Sequence, residues 1–276
     1  MSTVEGDDEQ DLTRKQRREQ ARAQRRELEE AEAASAKRRT RLTQLGIVAG
    51  IVVAIIVAII LATGGGSKTA IPKNSTEVNA TVGEVTSLLQ GIPQSGNTLG
   101  NPNAPVTLQY FGDLECPVCK AFTLGALPSL IQSYVRSGKL KIEYHAMETA
   151  TREPATFNTQ QIAALAAGKQ KKAWHYLELF YHQQGEEDSG YVTESYLQNL
   201  ARQVPGLNFA AWSAARNDPA LATSITSDAQ AANVNAFRGT QSFLIGKTGG
   251  TLQKFEPNTQ TETGPYSAAI EKLLKG

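Results

Sequence analysis

Val106-Thr107-Leu108-Gln109-Tyr110-Phe111, running into Gly112-Asp113-Leu114-Glu115-Cys116-Pro117-Val118-Cys119, is the stretch that decides how this chain folds. Its first six residues are β-branched and aromatic with partial period-two alternation, which predicts a strand, and the next four turn that strand into a helix-compatible segment. Cys116 then stands at a helix N-terminus. Unpaired backbone N–H groups and the helix dipole favour negative charge there, so the thiolate is stabilised relative to the thiol. Residues three apart on a helix share a face, and the sulfurs of Cys116 and Cys119 can approach bonding distance with little backbone movement. Pro117 suits the first helical turn, where its missing N–H would have had no partner anyway. Cys119, one turn further in, is expected to be more shielded.

These are the only two cysteines in the chain, so they face each other, a metal or a partner protein. A purely structural bridge is disfavoured, because a loop this short removes little chain entropy from the unfolded state. Zinc is disfavoured because it wants four ligands, and the three imidazoles, His145, His175 and His182, lie far from the pair in sequence. A redox-active dithiol is the reading that remains. In it Cys116 attacks a substrate disulfide when reduced, or is attacked by a substrate thiol when oxidised, and Cys119 resolves the mixed disulfide. The carboxylate of Glu115 works against the dipole and is expected to offset part of the acidification. The reading needs no metal and no cofactor.

Composition bounds the rest. With 276 residues and a net charge of +1, the chain can bury one substantial core, and no charge imbalance points to nucleic acid. The uneven feature is local: Gly46 to Ala62 carries no charged or strongly polar side chain. A helix from Leu45 to Thr63 would be roughly 28 Å long, matching a bilayer's hydrocarbon core. A cleaved signal peptide fits less well, since its leader would be shorter than the segment of about 45 residues found here and no clear A-x-A site follows. Lys37, Arg38, Arg39 and Arg41 crowd the N-terminal flank, against Lys68 and Lys73 beyond, which places the N-terminus in the cytoplasm and both cysteines outside. Disulfides persist in such a compartment, so an exported dithiol is expected to act on exported proteins.

The expected organisation is a charged cytoplasmic tail over 1–45, a transmembrane helix over 46–63, a flexible linker over 64–80 opened by Gly64-Gly65-Gly66-Ser67, and a folded domain over 81–276. The basic residues beside the membrane read as topogenic charge, with contact to anionic lipid as their functional option. After the cysteine-bearing helix, which Pro128 is expected to kink or split, Gly138 reads as a C-cap. Leu140, Ile142, Tyr144 and Ala146 alternate with Lys141, Glu143 and His145 as a second strand. A helical region follows over about 155–236, with Pro205 and Pro219 as breaks. The chain closes with a strand over 242–245, a turn at Lys247-Thr248-Gly249-Gly250, a strand over 252–255 and a helix from Pro265 to Leu274.

That order resembles the thioredoxin fold, an α/β fold, here with an inserted helical subdomain and one preceding transmembrane helix. Gly100-Asn101-Pro102-Asn103-Ala104-Pro105-Val106 together with Tyr110 to Cys119 is similar to the entry of the DsbA-like branch of thioredoxin-fold oxidoreductases. Ala166 to Gln170 with Trp174-His175-Tyr176-Leu177, and Gly239 to Gly246, are similar to later segments of that family. The resemblance implies an exported thiol-disulfide oxidoreductase with Cys116 as nucleophile and Cys119 as resolving thiol. It implies exported protein thiols or disulfides as partners, and allows a membrane redox partner. It also implies a substrate-binding loop at Thr240 and Gln241. The family has a cis-proline where this chain has Gln241; since a cis bond to a non-proline residue costs about 3 kcal/mol, a trans Thr240–Gln241 bond and a reshaped loop are expected. That departure keeps open an alternative, a membrane-tethered thioredoxin-fold binding module with weak or no exchange.

The histidines carry less. Alternation groups His145 with Lys141 and Glu143, so a solvent-facing imidazole is expected. His175 and His182 read as surface or packing residues. Trp174 and Trp212 read as core anchors of the helical subdomain.

Overall fold

The two apolar runs picked out above become neighbouring parallel strands at the centre of a six-stranded sheet. In the computed structural model, which describes residues 75–275, the elements in chain order are helix α1 (Ser75–Leu89), strands β1 (Gln94–Ser95), β2 (Thr98–Leu99) and β3 (Val106–Gly112), helices α2 (Pro117–Leu124) and α3 (Ala126–Leu130), a π-helical turn (Ile131–Val135) and β4 (Leu140–Ala146). Five helices follow: α4 (Pro154–Gly168), α5 (Ala173–His182), α6 (Glu194–Gln203), α7 (Phe209–Ala215) and α8 (Pro219–Val234). The chain ends with β5 (Ser242–Lys247), β6 (Gln253–Phe255) and α9 (Gly264–Lys275). The sheet order is β1-β2-β4-β3-β5-β6, with β3 and β4 parallel and every other pair antiparallel.

Burial explains the two strand patterns. β3 is central and covered on both faces, so only Gln109 in it is less than buried. β4 keeps strict alternation, with Leu140, Ile142, Tyr144 and Ala146 buried and the residues between them half-buried. One face of the sheet packs on α2, α3, α5 and α9 through Leu108, Tyr110, Phe122, Tyr144, Phe243 and Tyr266. The other face carries a smaller cluster of Phe111, Met147, Ala232 and Leu244.

The helical insertion appears as five helices separated by caps that the sequence supplies. Thr193, Asn208 and Asp218 each accept a backbone N–H at a helix start, and Pro219 sits in the first turn of α8. Trp174 and Trp212 are buried, and the indole N–H of Trp212 donates to the Ala163 carbonyl at 2.8 Å. Gly138 ends the first helical segment at φ +72°, as a C-capping glycine does.

Three expectations shift. The break after the cysteine-bearing helix falls at Gly125, before Pro128, where φ −102° and ψ −88° leave the helical range, and a side chain at 125 would meet the Ala121 carbonyl at 2.5 Å and the Thr261 backbone at 2.8 Å. α1 begins at Ser75, inside the stretch 64–80 read as linker from its glycines, because Val85 and Leu89 give it an apolar side to bury. His145 is covered instead of solvent-facing, since α8 lies across that face of β4. The tail, the transmembrane helix expected over 46–63 and the first part of the linker lie outside the described residues. Among the described residues no helix is long and apolar enough to cross a membrane.

Candidate active site

β3 delivers Cys116 to the end of the sheet and the following turn starts α2, so the thiol is placed as the helix N-cap residue with Pro117 just inside. Its φ and ψ of −72° and 120° are those of an extended cap. The Lys120 N–H donates to the Cys116 carbonyl at 3.1 Å as the first helical bond. Cys119 is fully buried one turn on, and only an edge of Cys116 reaches solvent, at 5 % exposure. Both are free thiols.

The two sulfurs are electrostatically unequal. A hydrogen bond from the Cys119 thiol is the largest influence on Cys116; burial opposes it, and the Thr240 side chain with the N–H groups of Cys119 and Val118 adds to it, bringing the Cys116 thiol down to about 6. Burial, followed by the bond to Cys116 and the charge on it, pushes the Cys119 thiol well up. The arrangement therefore holds one thiolate near neutral pH with a protonated thiol behind it. Glu115 does not weaken this as expected. Its side chain is itself buried, burial raises its carboxyl, and it is not among the main influences on the Cys116 thiol.

Asp113 is the anchor that sequence reasoning missed. Its Oδ2 accepts the N–H groups of Thr149 at 3.0 Å, Ala150 at 2.9 Å and Thr151 at 2.9 Å, and its Oδ1 accepts the Glu115 N–H at 3.1 Å and the Thr151 hydroxyl at 2.6 Å. One buried carboxylate thus ties the cysteine loop to the segment leaving β4. Gln184, just beyond α5, donates to the carbonyls of Leu114 at 2.7 Å and Cys116 at 3.1 Å. Tyr181 donates to the Asp113 carbonyl at 3.2 Å and receives the Tyr110 hydroxyl at 3.1 Å. Helical spacing in α5 signals that Tyr181 is buried, but nothing local marks it or Gln184 as partners of a loop some 70 residues away.

Thr240 lies against Cys116 with Gln241 next to it in the chain, both brought there by β5, which pairs with β3 from Ser242 opposite Phe111 onward. The Cys116 thiol donates to the Thr240 carbonyl at 3.8 Å, and the hydroxyls of Thr240 and Thr149 are hydrogen-bonded. The Thr240–Gln241 peptide bond is cis, not trans as expected. The expectation rested on intrinsic cost alone, whereas the loop is held on both sides by tertiary contacts: Thr240 to Cys116 and Thr149, and Gln241 Nε2 donating to the Tyr266 hydroxyl at 3.3 Å.

The histidines stay apart from this site. His145 Nδ1 pairs with Asp228 at 2.6 Å and its ring stacks on Phe111 at 4.8 Å. His175 is buried against the Gln94 amide at 3.0 Å, and burial holds it down to about 4. Among the described residues no three His, Cys, Asp or Glu side chains are grouped to hold a metal ion.

Comparison with known proteins agrees with this architecture. The chain is 24% identical over 106 residues to the "Probable disulfide bond formation protein D" of Bacillus anthracis, covering 38% of this chain and 48% of that protein. It is 27% identical over 111 residues to the "Disulfide bond formation protein D" of Bacillus subtilis, covering 38% and 47%. The chain thus spans about half the length of the curated relatives it matches. Among solved structures, oxidised BdbD from Bacillus subtilis superposes with a TM-score of 0.56 at 20% identity, over 67% of this chain and 97% of that one. Wolbachia pipientis alpha-DsbA1 superposes with a TM-score of 0.53 at 18% identity, over 68% and 92%. At these identities the superpositions establish the fold. The family profile described as Thioredoxin matches residues 94–249, more than half of the chain and the whole span from β1 to the β5–β6 turn, so this chain belongs to the thioredoxin family.

Proposed function

We propose that this protein is an extracytoplasmic thiol-disulfide oxidoreductase, held at the membrane by a helix over 46–63 with its N-terminus in the cytoplasm, that exchanges disulfides with exported proteins through Cys116 and Cys119. The observation that carries the reading is the inequality of the two thiols, with Cys116 down at about 6 and Cys119 well above its usual range. An attacking or leaving sulfur works best as a thiolate, and a resolving sulfur works best when held back behind it.

In the oxidising direction a substrate thiolate attacks Cys116 of the Cys116–Cys119 disulfide, and Cys119 leaves and takes up a proton. A second substrate thiolate then attacks the substrate sulfur of the mixed disulfide and expels Cys116 as a stable thiolate. The substrate has lost two electrons and the dithiol has gained them. A partner in the membrane, itself an oxidant of thiols, would take those electrons away again. Stabilising the Cys116 thiolate stabilises the reduced protein, which favours oxidation of substrates over their reduction. In this reading Thr240 and Gln241 would hold the substrate backbone beside Cys116. A binding module without exchange has no use for so acidic a thiol, and this supports the enzyme reading over the tethered-binder alternative.

The test is oxidation of a reduced, unfolded protein by the oxidised full chain. Transfer of one disulfide per protein molecule is expected, and repeated turnover once an oxidant such as oxidised glutathione is supplied; Cys116→Ala is expected to abolish both, and the pair is expected to equilibrate at a potential more oxidising than the roughly −270 mV of thioredoxin. Binding of the reduced protein with no change in its thiol count would favour the binding module.

A further inference from the structure

Next to the loop that faces Cys116 the sheet opens into a small pocket, open to solvent on one side and lined in part by Phe237, Gln241, Ser242, Phe255, Glu256 and Pro257. It lies where β6 ends, one residue past the Phe243–Phe255 pair that closes the β5–β6 ladder. Three of these side chains are apolar walls. Of the polar ones, Gln241, Ser242 and Glu256 are set up to accept hydrogen bonds, while Gln260, which also lines the pocket, can donate or accept.

The orientation of Gln241 follows from its neighbours. The Tyr266 hydroxyl donates to the Thr259 carbonyl at 3.3 Å, so its oxygen is free only to accept, and it accepts from Gln241 Nε2 at 3.3 Å. The carboxamide oxygen is therefore the atom left over, and it is buried with no partner. A buried acceptor in that state is destabilising until a donor arrives. The Ser242 hydroxyl spends its proton on the Gly239 carbonyl at 2.6 Å, leaving an oxygen that can only accept. Glu256 adds a carboxylate, and no lysine, arginine or histidine lines the pocket. Lys254 is the basic group nearby, 5.4 Å from the centre of the Phe237 ring without lining the cavity.

We propose that this pocket is a specificity subsite for a lysine or arginine side chain close in sequence to the cysteine of the polypeptide that joins Cys116. The aliphatic stem would lie on Phe237, Phe255 and Pro257, and the cationic head would donate to Gln241 Oε1 and the Glu256 carboxylate. Reach is supplied by the loop. Thr240 touches the Cys116 sulfur and Gln241 is its immediate neighbour, so residues flanking a cysteine bonded to Cys116 pass the pocket. The inference rests on the exchange activity proposed above.

The experiment uses the oxidised full chain in detergent and reduced peptides that differ at one position, within two residues on either side of a single cysteine. Lysine, arginine, norleucine and glutamate are compared by the rate of mixed-disulfide formation. Lysine and arginine at one of these positions are expected to react about fivefold faster than norleucine, the scale of a solvent-accessible ion pair, with glutamate slowest. Glu256→Gln, a change at an exposed residue, is expected to melt with the parent and bring the lysine-to-norleucine ratio close to one. Equal rates across the series, or a cation preference untouched by Glu256→Gln, would overturn the subsite alone. Exchange with no peptide at all would overturn it together with the oxidoreductase reading.

Discussion

The helix terminus is only part of the reason that a thiol near 6 and a thiol pushed well above its usual range stand one turn apart. The difference comes from who donates to whom. Cys116 receives the Cys119 thiol, the Thr240 side chain and two backbone N–H groups, whereas Cys119 is surrounded by apolar and phenolic groups and is pushed up chiefly by burial. The alkylation rate of Cys116 is therefore expected to rise with pH through a midpoint near 6. Replacing Cys119 by alanine removes the largest of the favourable contacts, so Cys119→Ala is expected to move that midpoint upward by about one unit or more, while Cys119→Ser retains a donor and moves it less. Absorbance of the thiolate against pH reads both. A midpoint unchanged in Cys119→Ala would leave the helix terminus and Thr240 as the whole cause.

At the scale of elements, the site depends on three strand-end segments being held at one end of the sheet. Asp113 binds the first two, the cysteine loop after β3 and the segment after β4, and the Thr149–Thr240 hydroxyl contact links the second to the loop before β5. A fourth segment closes in from the far side. The connection between β6 and α9 passes so near the α2–α3 break that a methyl group at Gly125 would lie 2.8 Å from the Thr261 backbone and 2.5 Å from the Ala121 carbonyl. Both obstacles are backbone and cannot rotate away. Gly125→Ala is accordingly expected to cost about 1–3 kcal/mol in denaturant unfolding, with displacement of the 259–261 segment that carries the acceptor of Tyr266. Stability equal to the parent would mean that this close approach relaxes freely.

For the molecule as a whole, the face of the sheet away from the thiols holds a second, structural centre. His145 lies between Asp228 at 2.6 Å and Glu143 at 3.9 Å, Glu143 also receives Lys141 at 2.8 Å, and Phe111 stacks on the imidazole. Burial works against the charge on His145, but the bonds to Asp228 and Glu143 outweigh it and carry the imidazole up to about 9; its bond to Glu143, ahead of the opposing effect of burial, helps hold that carboxyl down to about 2. The sign follows from the direction. A group raised from about 6.5 unfolded to about 9 folded contributes its full stabilisation below pH 6.5 and loses it as pH climbs through 9. Asp228→Asn is thus expected to cost about 2 kcal/mol at pH 6, with the deficit shrinking as pH rises from about 6.5 to about 9. Unfolding of parent and variant across pH 5–10 measures it, and a deficit that does not vary with pH would mean that His145 is neutral in the fold.

Much of this was legible locally. The strand over 140–146, the cysteine helix, the broken helical insertion and the β5–β6 hairpin all follow from periodicity, caps and turns, because those signals arise between residues a few positions apart. The placement of Cys116 at a helix N-terminus was legible for the same reason. What the sequence could not show is which distant groups meet: that the Asp113 carboxylate gathers five donors, that Glu115 is buried, that α8 covers His145, or that the Thr240–Gln241 bond is cis. Where an expectation existed in those cases, it came from local pattern or intrinsic preference. It was overruled because burial and hydrogen bonding between segments far apart in the chain act on the same scale and become visible only once the sheet brings those segments together.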